Sequence, residues 1–311
     1  MSVMYTSIDL QVVKPFLKWA GGKTQLLEQF VPYFPTELKN GQINKYCEPF
    51  LGSGAVFFFI AQNYYLEKAY LSDINEDLIA TFLVVQRNVN ELIDELDKLK
   101  SEYLAIDYED REKYFYKIRE KFNKEKNRPK TDRYSKDWIP RAAQLMFLNK
   151  TCFNGLFRLN RKGEFNVPFG RYKNPKIYSE EQLYIANSVL QIAEIFITDF
   201  DKLKSKINHD VFVYLDPPYR PISTTSSFTS YSKFDFTDDD QKRLAKFYKE
   251  LSDKGNKLML SNSDPKNKNP QDHFFEDLYE GFYINRVKAN RMINCNGNDR
   301  GKINELVITN Y

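Results

Sequence analysis

Seven short apolar or β-branched runs, separated by longer stretches of helical periodicity, constrain this 311-residue chain more than any other feature. They are Lys45–Glu48, Ala69–Asp73, Ile195–Asp199, Val211–Asp216, Lys257–Ser261, Tyr283–Lys288 and Glu305–Asn310. Strands alternating with helices predict a parallel sheet, because a crossover helix returns the chain to the same edge for the next strand. Four runs end in or beside an acid: Glu48, Asp73, Asp199 and Asp216. Ligands of open α/β sheets sit beyond the carboxyl ends of the strands, where strand order reverses, so these acids are expected to face one crevice.

Residues 76–190 separate the second run from the third, far more chain than one crossover needs. The predicted organisation is therefore an α/β domain formed by residues 1–75 and 191–311, with an inserted, mainly helical domain at 76–190. Within the insertion, Ile74–Lys100 reads as one amphipathic helix, with Leu78, Leu83, Leu92, Ile93, Leu96 and Leu99 at near-helical spacing. Asp107–Lys136 is so charged that it predicts either an exposed helix with a mobile connector or a partly disordered stretch, broken at Arg128-Pro129-Lys130.

The turns after the runs carry the chemistry. Glu48-Pro49-Phe50-Leu51-Gly52-Ser53-Gly54 follows the first run and opens an apolar helix, Ala55–Ala61. Its glycines permit positive φ and close approach of backbone amides to a ligand, although such a pair also occurs in ordinary turns. The third glycine of the dinucleotide fingerprint is missing. Asp73 closes the second run about twenty residues later, where a carboxylate can accept both hydroxyls of a ribose or can cap a helix. Taken with the glycine turn, it favours an adenosine ligand. Gly22-Lys23-Thr24 suggests a P-loop, but Leu17 stands where that motif needs glycine.

Asp216-Pro217-Pro218-Tyr219, behind the fourth run, is the most specific signal. Two prolines fix φ and remove two donors, so the turn offers a carboxylate and carbonyl acceptors in rigid directions. An exocyclic amine such as adenine N6 is a poor nucleophile, because its lone pair is delocalised into the ring. Hydrogen bonds from its N–H groups to Asp216 and to the Pro217 carbonyl would favour a pyramidal nitrogen, and Tyr219 could stack on a base drawn out of a duplex. The bare string is also compatible with an Asx-Pro turn; its place behind a strand argues against that.

Composition removes other chemistries. Three cysteines, Cys47, Cys152 and Cys295, form neither a disulfide framework nor a zinc pattern and are expected to be reduced. With only His209 and His273 available, a histidine-based metal site or a Ser-His-Asp hydrolase lacks raw material, and no metal is expected. No apolar run approaches the roughly 20 residues of a membrane helix. The opening Met1-Ser2-Val3-Met4-Tyr5 lacks the layout of a secretory signal, so a cytoplasmic protein that does not engage membranes is expected.

Charge is unevenly spread. Residues 121–176 hold fifteen Lys/Arg and four Asp/Glu, a balance of +11, which leaves the rest of the chain at −7. Aromatics are interleaved there, from Phe122 and Tyr134 to Phe169 and Tyr172. A solvated lysine-rich face would look similar, but cations among aromatics are also what a nucleic-acid groove uses, neutralising phosphates and stacking on bases.

Together, Phe16–Lys23, Glu48–Gly54, Leu71–Ile79, Asn149–Arg158 and Asp216–Tyr219 resemble, in order, the motifs of the Dam-type (D12 class, α group) adenine-N6 DNA methyltransferases, over nearly the whole chain. The resemblance implies a Rossmann-like S-adenosylmethionine-dependent methyltransferase sheet with an inserted helical DNA-recognition domain. It implies S-adenosyl-L-methionine as cofactor, with contacts at Trp19, Lys23, Phe50, Gly52, Gly54, Asp73, Asp199, Phe200 and Asp216. Asp199 and Phe200 are similar to the pair that flanks the cofactor's adenine. Catalysis is implied at Asp216, Pro217, Pro218 and Tyr219. The stretch from Lys150 to Arg158, with Gly163–Gly170 behind it, resembles the target-recognition hairpin and implies DNA contacts by Lys18, Phe153, Asn154, Leu156, Arg158 and Pro168.

The hairpin's chemistry agrees with that role: Arg158 can bind guanine O6 and N7 in a bidentate way, and Phe153 or Leu156 can wedge between base steps. Phe157 and Phe165 read better as core residues. Phe153 departs from relatives that carry Tyr there, which removes a hydroxyl. The implied substrate is double-stranded DNA at GATC, methylated by base flipping by a protein monomeric in solution, with a companion restriction endonuclease as a further partner. Two other readings stand beside it: N6 methylation of RNA or a related polar amine, and a sequence-specific DNA-binding protein with a vestigial transferase site.

Overall fold

The computed structural model describes residues 12–124, 134–220, 236–290 and 302–311; Met1–Tyr5, Arg128-Pro129-Lys130 and Cys295 lie outside them. The strands are β1 (Lys45–Glu48), β2 (Lys68–Asp73), β3 (Ala193–Ile197), β4 (Val211–Leu215), β5 (Lys257–Ser263), β6 (Tyr283–Asn290) and β7 (Lys302–Thr309). The helices are α1 (Leu27–Phe30), α2 (Thr36–Lys39), α3 (Ala55–Asn63), α4 (Glu76–Arg87), α5 (Val89–Ala105), α6 (Arg111–Lys124), α7 (Ile139–Thr151), α8 (Glu180–Leu190), α9 (Asp238–Asp253) and α10 (Phe274–Leu278). No helix among the described residues is long and apolar enough to cross a membrane.

All seven runs are strands of one sheet, in the order β3-β2-β1-β4-β5-β7-β6. Pairings β1 with β2 and β4, β2 with β3, and β4 with β5 are parallel. The expectation of a parallel sheet fails at β7, which runs antiparallel to both β5 and β6. Only 11 residues separate β6 from β7, and a link of that length suits antiparallel neighbours better than a crossover. Strand order reverses between β1 and β4, so the carboxyl ends of these two strands border the crevice.

Period-two alternation divides the core. Tyr46, Phe212, Tyr214, Met259 and Val307 join the apolar cluster on one face, whereas Cys47, Val213, Leu215, Leu258, Leu260, Leu306 and Ile308 join the cluster on the other. Every residue of β4 is buried, as a central strand covered on both faces requires. The second face is closed by α9 and α10; α9 starts on a capping box in which the Thr237 hydroxyl accepts from the Asp240 amide while the Asp240 carboxylate accepts from the Thr237 amide.

The helices of 76–190 pack on the first face. Their apolar residues, among them Leu92, Tyr103, Phe115 and Phe147, belong to the same continuous cluster as Tyr46 and Phe57. One buried ion pair fastens this layer: Arg141 of α7 donates through Nε and Nη2 to the Asp77 carboxylate of α4, at 2.6 and 3.0 Å. Its Nη1 donates to the Phe122 carbonyl of α6, over whose ring the guanidinium lies.

Two helical expectations need correction. Ile74–Lys100 is not one helix, because Asn88 breaks it at φ −141°, ψ 48°. The Asn88 amide ends α4 on the Val84 carbonyl, and its side chain donates to Glu91 and accepts from the Tyr134 hydroxyl at 2.6 Å. Asp107–Lys136 is not simply exposed: α6 buries Tyr114, Phe115, Ile118 and Phe122, while residues 125–133 of the interval lie outside the described ones.

Candidate active site

The turn after β1 and the turn after β4 meet across the point of reversal. Gly52 and Gly54 adopt φ of +49° and +71°, the freedom their turn calls for. Each is also closely packed: a Cβ on Gly52 would lie 3.2 Å from the Trp19 indole, and one on Gly54 equally close to Phe58 and Phe82. Asp73, at the end of β2, ties the turn after β1 to its own by accepting from the Gly52 amide at 3.1 Å and the Asn75 amide at 2.9 Å. Asn75, not Asp73, caps α4, by accepting from the Leu78 amide. Burial raises the Asp73 carboxyl above its ordinary range, opposed by these amides. The carboxylate keeps further lone pairs for a ligand.

Asp216 lies one residue beyond β4. Lys23 places its ammonium 2.9 Å from Asp216 Oδ1, and the Ser261 hydroxyl donates to the same oxygen at 2.9 Å. Ser261 has spent its single proton, so the Tyr214 hydroxyl 2.8 Å away must be the donor to Ser261. Among the described residues no donor reaches Asp216 Oδ2. Burial raises the Asp216 carboxyl, and Lys23 and Ser261 pull it back. Lys23, itself buried, also donates to the Gly21 carbonyl and lies 4.6 Å from the centre of the Tyr219 ring. The Tyr219 hydroxyl donates to Glu305 of β7 at 2.6 Å. Pro217 is buried and Pro218 exposed, and the Pro218 carbonyl accepts from Gln241 of α9.

Glu48 completes the cluster. Buried at the end of β1, it accepts from the Tyr46 hydroxyl at 2.9 Å, and burial holds its carboxyl well above the usual range, with the Asp216 charge adding to the rise. Glu305 is raised likewise, first by burial. Three acids thus surround Lys23, each with its charged form disfavoured by burial, and a cationic ligand among them would stabilise the ionised forms. The residues therefore fit a sulfonium cofactor that also carries an ammonium group.

The remaining cofactor positions divide between cleft and core. Trp19 is half-buried and stacks on Phe157 of the hairpin, with ring centres 5.0 Å apart. Phe50 is half-buried, 5.4 Å from the ring of Phe200, and Phe200 is core, packed also on Phe247. Asp199 lies beyond β3, which ends at Ile197 rather than at the acid. There it caps a short helical turn, and both its oxygens are taken by Arg243 of α9, at 2.7 and 3.1 Å.

The hairpin residues form a separate surface adjoining the crevice. Bridges between Cys152 and Phe169 and between Leu159 and Phe165 close the hairpin. Phe153 is exposed by 51% while Leu156 packs partly into the core, and Phe157 and Phe165 are buried, as their core reading has it. Asn154 takes φ +57° and its amide donates to the Tyr172 hydroxyl. Pro168 is exposed and its carbonyl accepts from the Phe153 amide. Arg158 is exposed, with Nε donating to Asn166 at 2.8 Å. Lys18 is exposed, and its stem fills the space a side chain at Gly155 would need. The buried Asn149 side chain splices the pieces, accepting from the Lys18 amide and donating to the carbonyls of Lys18 and Gly155.

Sequence reasoning missed Glu305, Ser261 and Arg243 as partners of Tyr219, Asp216 and Asp199. Each comes from a distant strand or helix and carries no local motif. Asn149 had a signal, since it opens one of the recognised motifs.

A sheet whose strand order reverses beside a glycine turn, an acid at the end of β2 and an Asp-Pro-Pro-Tyr turn is consistent with a methyltransferase fold. Residues 19–293 match the model of the family described as D12 class N6 adenine-specific DNA methyltransferase. The chain is 53% identical over 300 residues to Type II methyltransferase M.MjaIII of Methanocaldococcus jannaschii, covering 96% of this chain and 99% of that protein. It is 36% identical to Type II methyltransferase M1.LlaDCHI of Lactococcus lactis subsp. cremoris, covering 96% of each. It is 33% identical to the DNA adenine methylase of Escherichia coli (strain K12), covering 94% of each. The chain belongs to the D12 class of N6 adenine-specific DNA methyltransferases. It is a DNA adenine methyltransferase, and the family implies S-adenosylmethionine as methyl donor and DNA as substrate.

Proposed function

We propose that the protein methylates adenine N6 in GATC within double-stranded DNA, on a base rotated out of the helix into the crevice between the β1 and β4 turns. The observation that carries the reading is the state of Asp216: both neighbouring donors fall on Oδ1. Oδ2 is left to accept one N6–H bond, and the Pro217 carbonyl takes the other. Two such bonds shift the amine toward a pyramidal nitrogen and aim its lone pair away from the turn. Tyr219, held by Glu305 on its hydroxyl and by Lys23 against its ring, offers a fixed stacking surface for the extracted base.

S-adenosylmethionine supplies an electrophilic methyl group on sulfur. The residues assigned to hold it are Trp19, Phe50, Gly52, Gly54, Lys23 and Asp73, with Asp73 accepting the ribose hydroxyls. Of the pair assigned to the adenine, Asp199 is fixed by Arg243, so its part is to orient the turn that carries Phe200. Residues 76–190 act as the recognition insertion: Arg158 reads a guanine, Lys18, outside the insertion, touches the target guanine, and Phe153 is the exposed wedge. The Type II names of two relatives support a companion restriction endonuclease.

The test is methylation of duplexes that carry GATC and each of its single-base variants, with N6-methyladenine as the readout. The reading predicts product on GATC alone; equal product on the variants removes GATC and the role given to the hairpin. RNA of the same sequence should give none.

A further inference from the structure

A pocket of about 370 Å³ lies outside the crevice, between the segment that leads into Trp19, the end of α7, residues 172–179 and the start of α8. Lys14, Lys18, Lys150 and Lys176 line it together with Tyr172 and Tyr178, over an apolar floor. No acid lines it, and among the described residues none of these four lysines has an ion-pair partner. Elsewhere this chain pairs its lysines freely, as at Lys68, Lys204 and Lys257. Four cations lining one concavity make its potential positive, which favours an anion there.

The walls are built, not loose. The Lys14 amide donates to Gln182 at 2.8 Å. Tyr108 and Arg111, at the start of α6, hold the carbonyls of Arg171 and Lys173. This bracing gives a structural part to a segment for which the sequence suggested none. Lys18 is common to the pocket and to the recognition surface, since its stem packs on Gly155 and its ammonium lies 5.5 Å from the Tyr172 ring.

We propose that this pocket receives one backbone phosphodiester of the DNA strand beside the recognised sequence, with Lys150 and Lys176 as its principal cations. This proposal rests on the reading of the hairpin as the DNA-recognition surface. The occupant is a phosphate because four lysines line the cavity with phenol, hydroxyl and amide groups beside them and no carboxylate among them, a set suited to a compact anion. DNA is the source because the pocket shares Lys18 with that surface. Lys150 is most buried of the four, and burial first, then the charges of Lys18 and Lys176, lower its ammonium to about 8. Below that pH it is charged and binds; as pH rises through about 8 the free protein loses the charge and the phosphate contact weakens.

The experiment measures duplex affinity of the full chain with a single uncharged methylphosphonate placed at each backbone position in turn, for wild type and for Lys150→Gln/Lys176→Gln. Wild type should lose about tenfold at one position or two adjacent ones flanking the site. The double variant should lose a similar factor on unmodified DNA, gain no further loss at that position, and show a salt slope lower by roughly two. Lys150→Arg should restore binding and abolish its decline above pH 8. If the double variant binds unmodified duplex as tightly as wild type with an unchanged slope, or if its losses add in full at every position, the pocket is not a backbone site. Thermal stabilisation by inorganic phosphate that the double variant lacks, without any coupled backbone position, would assign the pocket to a free anion and overturn the DNA source. Methylation at saturating DNA separates the two readings: absence of N6-methyladenine sinks the function, whereas intact methylation without phosphate coupling sinks only the pocket.

Discussion

Asp216 is the residue to which the proposed function assigns the chemistry, and its environment predicts how activity depends on pH. Burial raises its carboxyl, and the Ser261 hydroxyl is one of the groups that offset the rise. The ionised form is the competent acceptor, so activity should fall as pH drops through the raised value. Ser261→Ala removes a donor to the charged form and should move the acidic limb of the kcat profile to higher pH while the plateau holds. A limb that stays in place would mean that Asp216 does not set it. At the cofactor end, Asp73→Ala should weaken S-adenosylmethionine binding by about tenfold or more, equivalent to ~1.4 kcal/mol or more, measured by calorimetry without DNA. Unchanged affinity would remove Asp73 from the ribose site. Both residues were visible in the sequence because each closes an apolar run beside a second local signal. Glu305 was not, since it meets Tyr219 across 86 residues, a contact created only when β7 pairs with β5.

At the scale of elements, Arg141 of α7 ties that helix to α4 and α6 within the layer formed by residues 76–190. The pair between Arg141 and Asp77 is almost wholly buried, at 3% and 8% exposure, so removing the Arg141 charge leaves the Asp77 carboxylate buried without it. Arg141→Met should cost about 3–5 kcal/mol. Replacing both with apolar residues should cost less than that single change. Urea unfolding measures this, and single-variant midpoints equal to wild type would show that the pair does not fasten the layer. The hairpin makes a different prediction. Arg158→Ala should cost about 1–3 kcal/mol of discrimination at one base pair and leave the fold intact. Equal loss on all substrates, with preference retained, would make Arg158 a positioning residue.

The elements were legible where periodicity is local, which is why all seven strands are recovered with shifts of a few residues at their ends. The break at Asn88 was not, because a single Asn within a helical period is tolerated until Tyr134 and Glu91 bind its side chain. The course of β7 escaped for a related reason, since alternation marks a strand but not its direction.

The whole molecule separates charge by task. Three acids gather around Lys23, and the surplus of +11 gathers in the segment that carries the hairpin. Composition made that segregation readable, but not which lysines converge: Lys14, Lys150 and Lys176 come together only through folding. The central claim is that Asp216, in the turn at the strand reversal, directs methyl transfer to adenine N6 in GATC. The most direct measurement incubates wild type and Asp216→Ala with labelled S-adenosylmethionine and a mixed-sequence duplex, maps every N6-methyladenine, and records DNA affinity in parallel. The account predicts label confined to GATC for wild type, and for Asp216→Ala no label with DNA binding largely retained, because phosphate contacts supply most of the binding free energy. Label outside GATC, or near-normal turnover by Asp216→Ala, would contradict it.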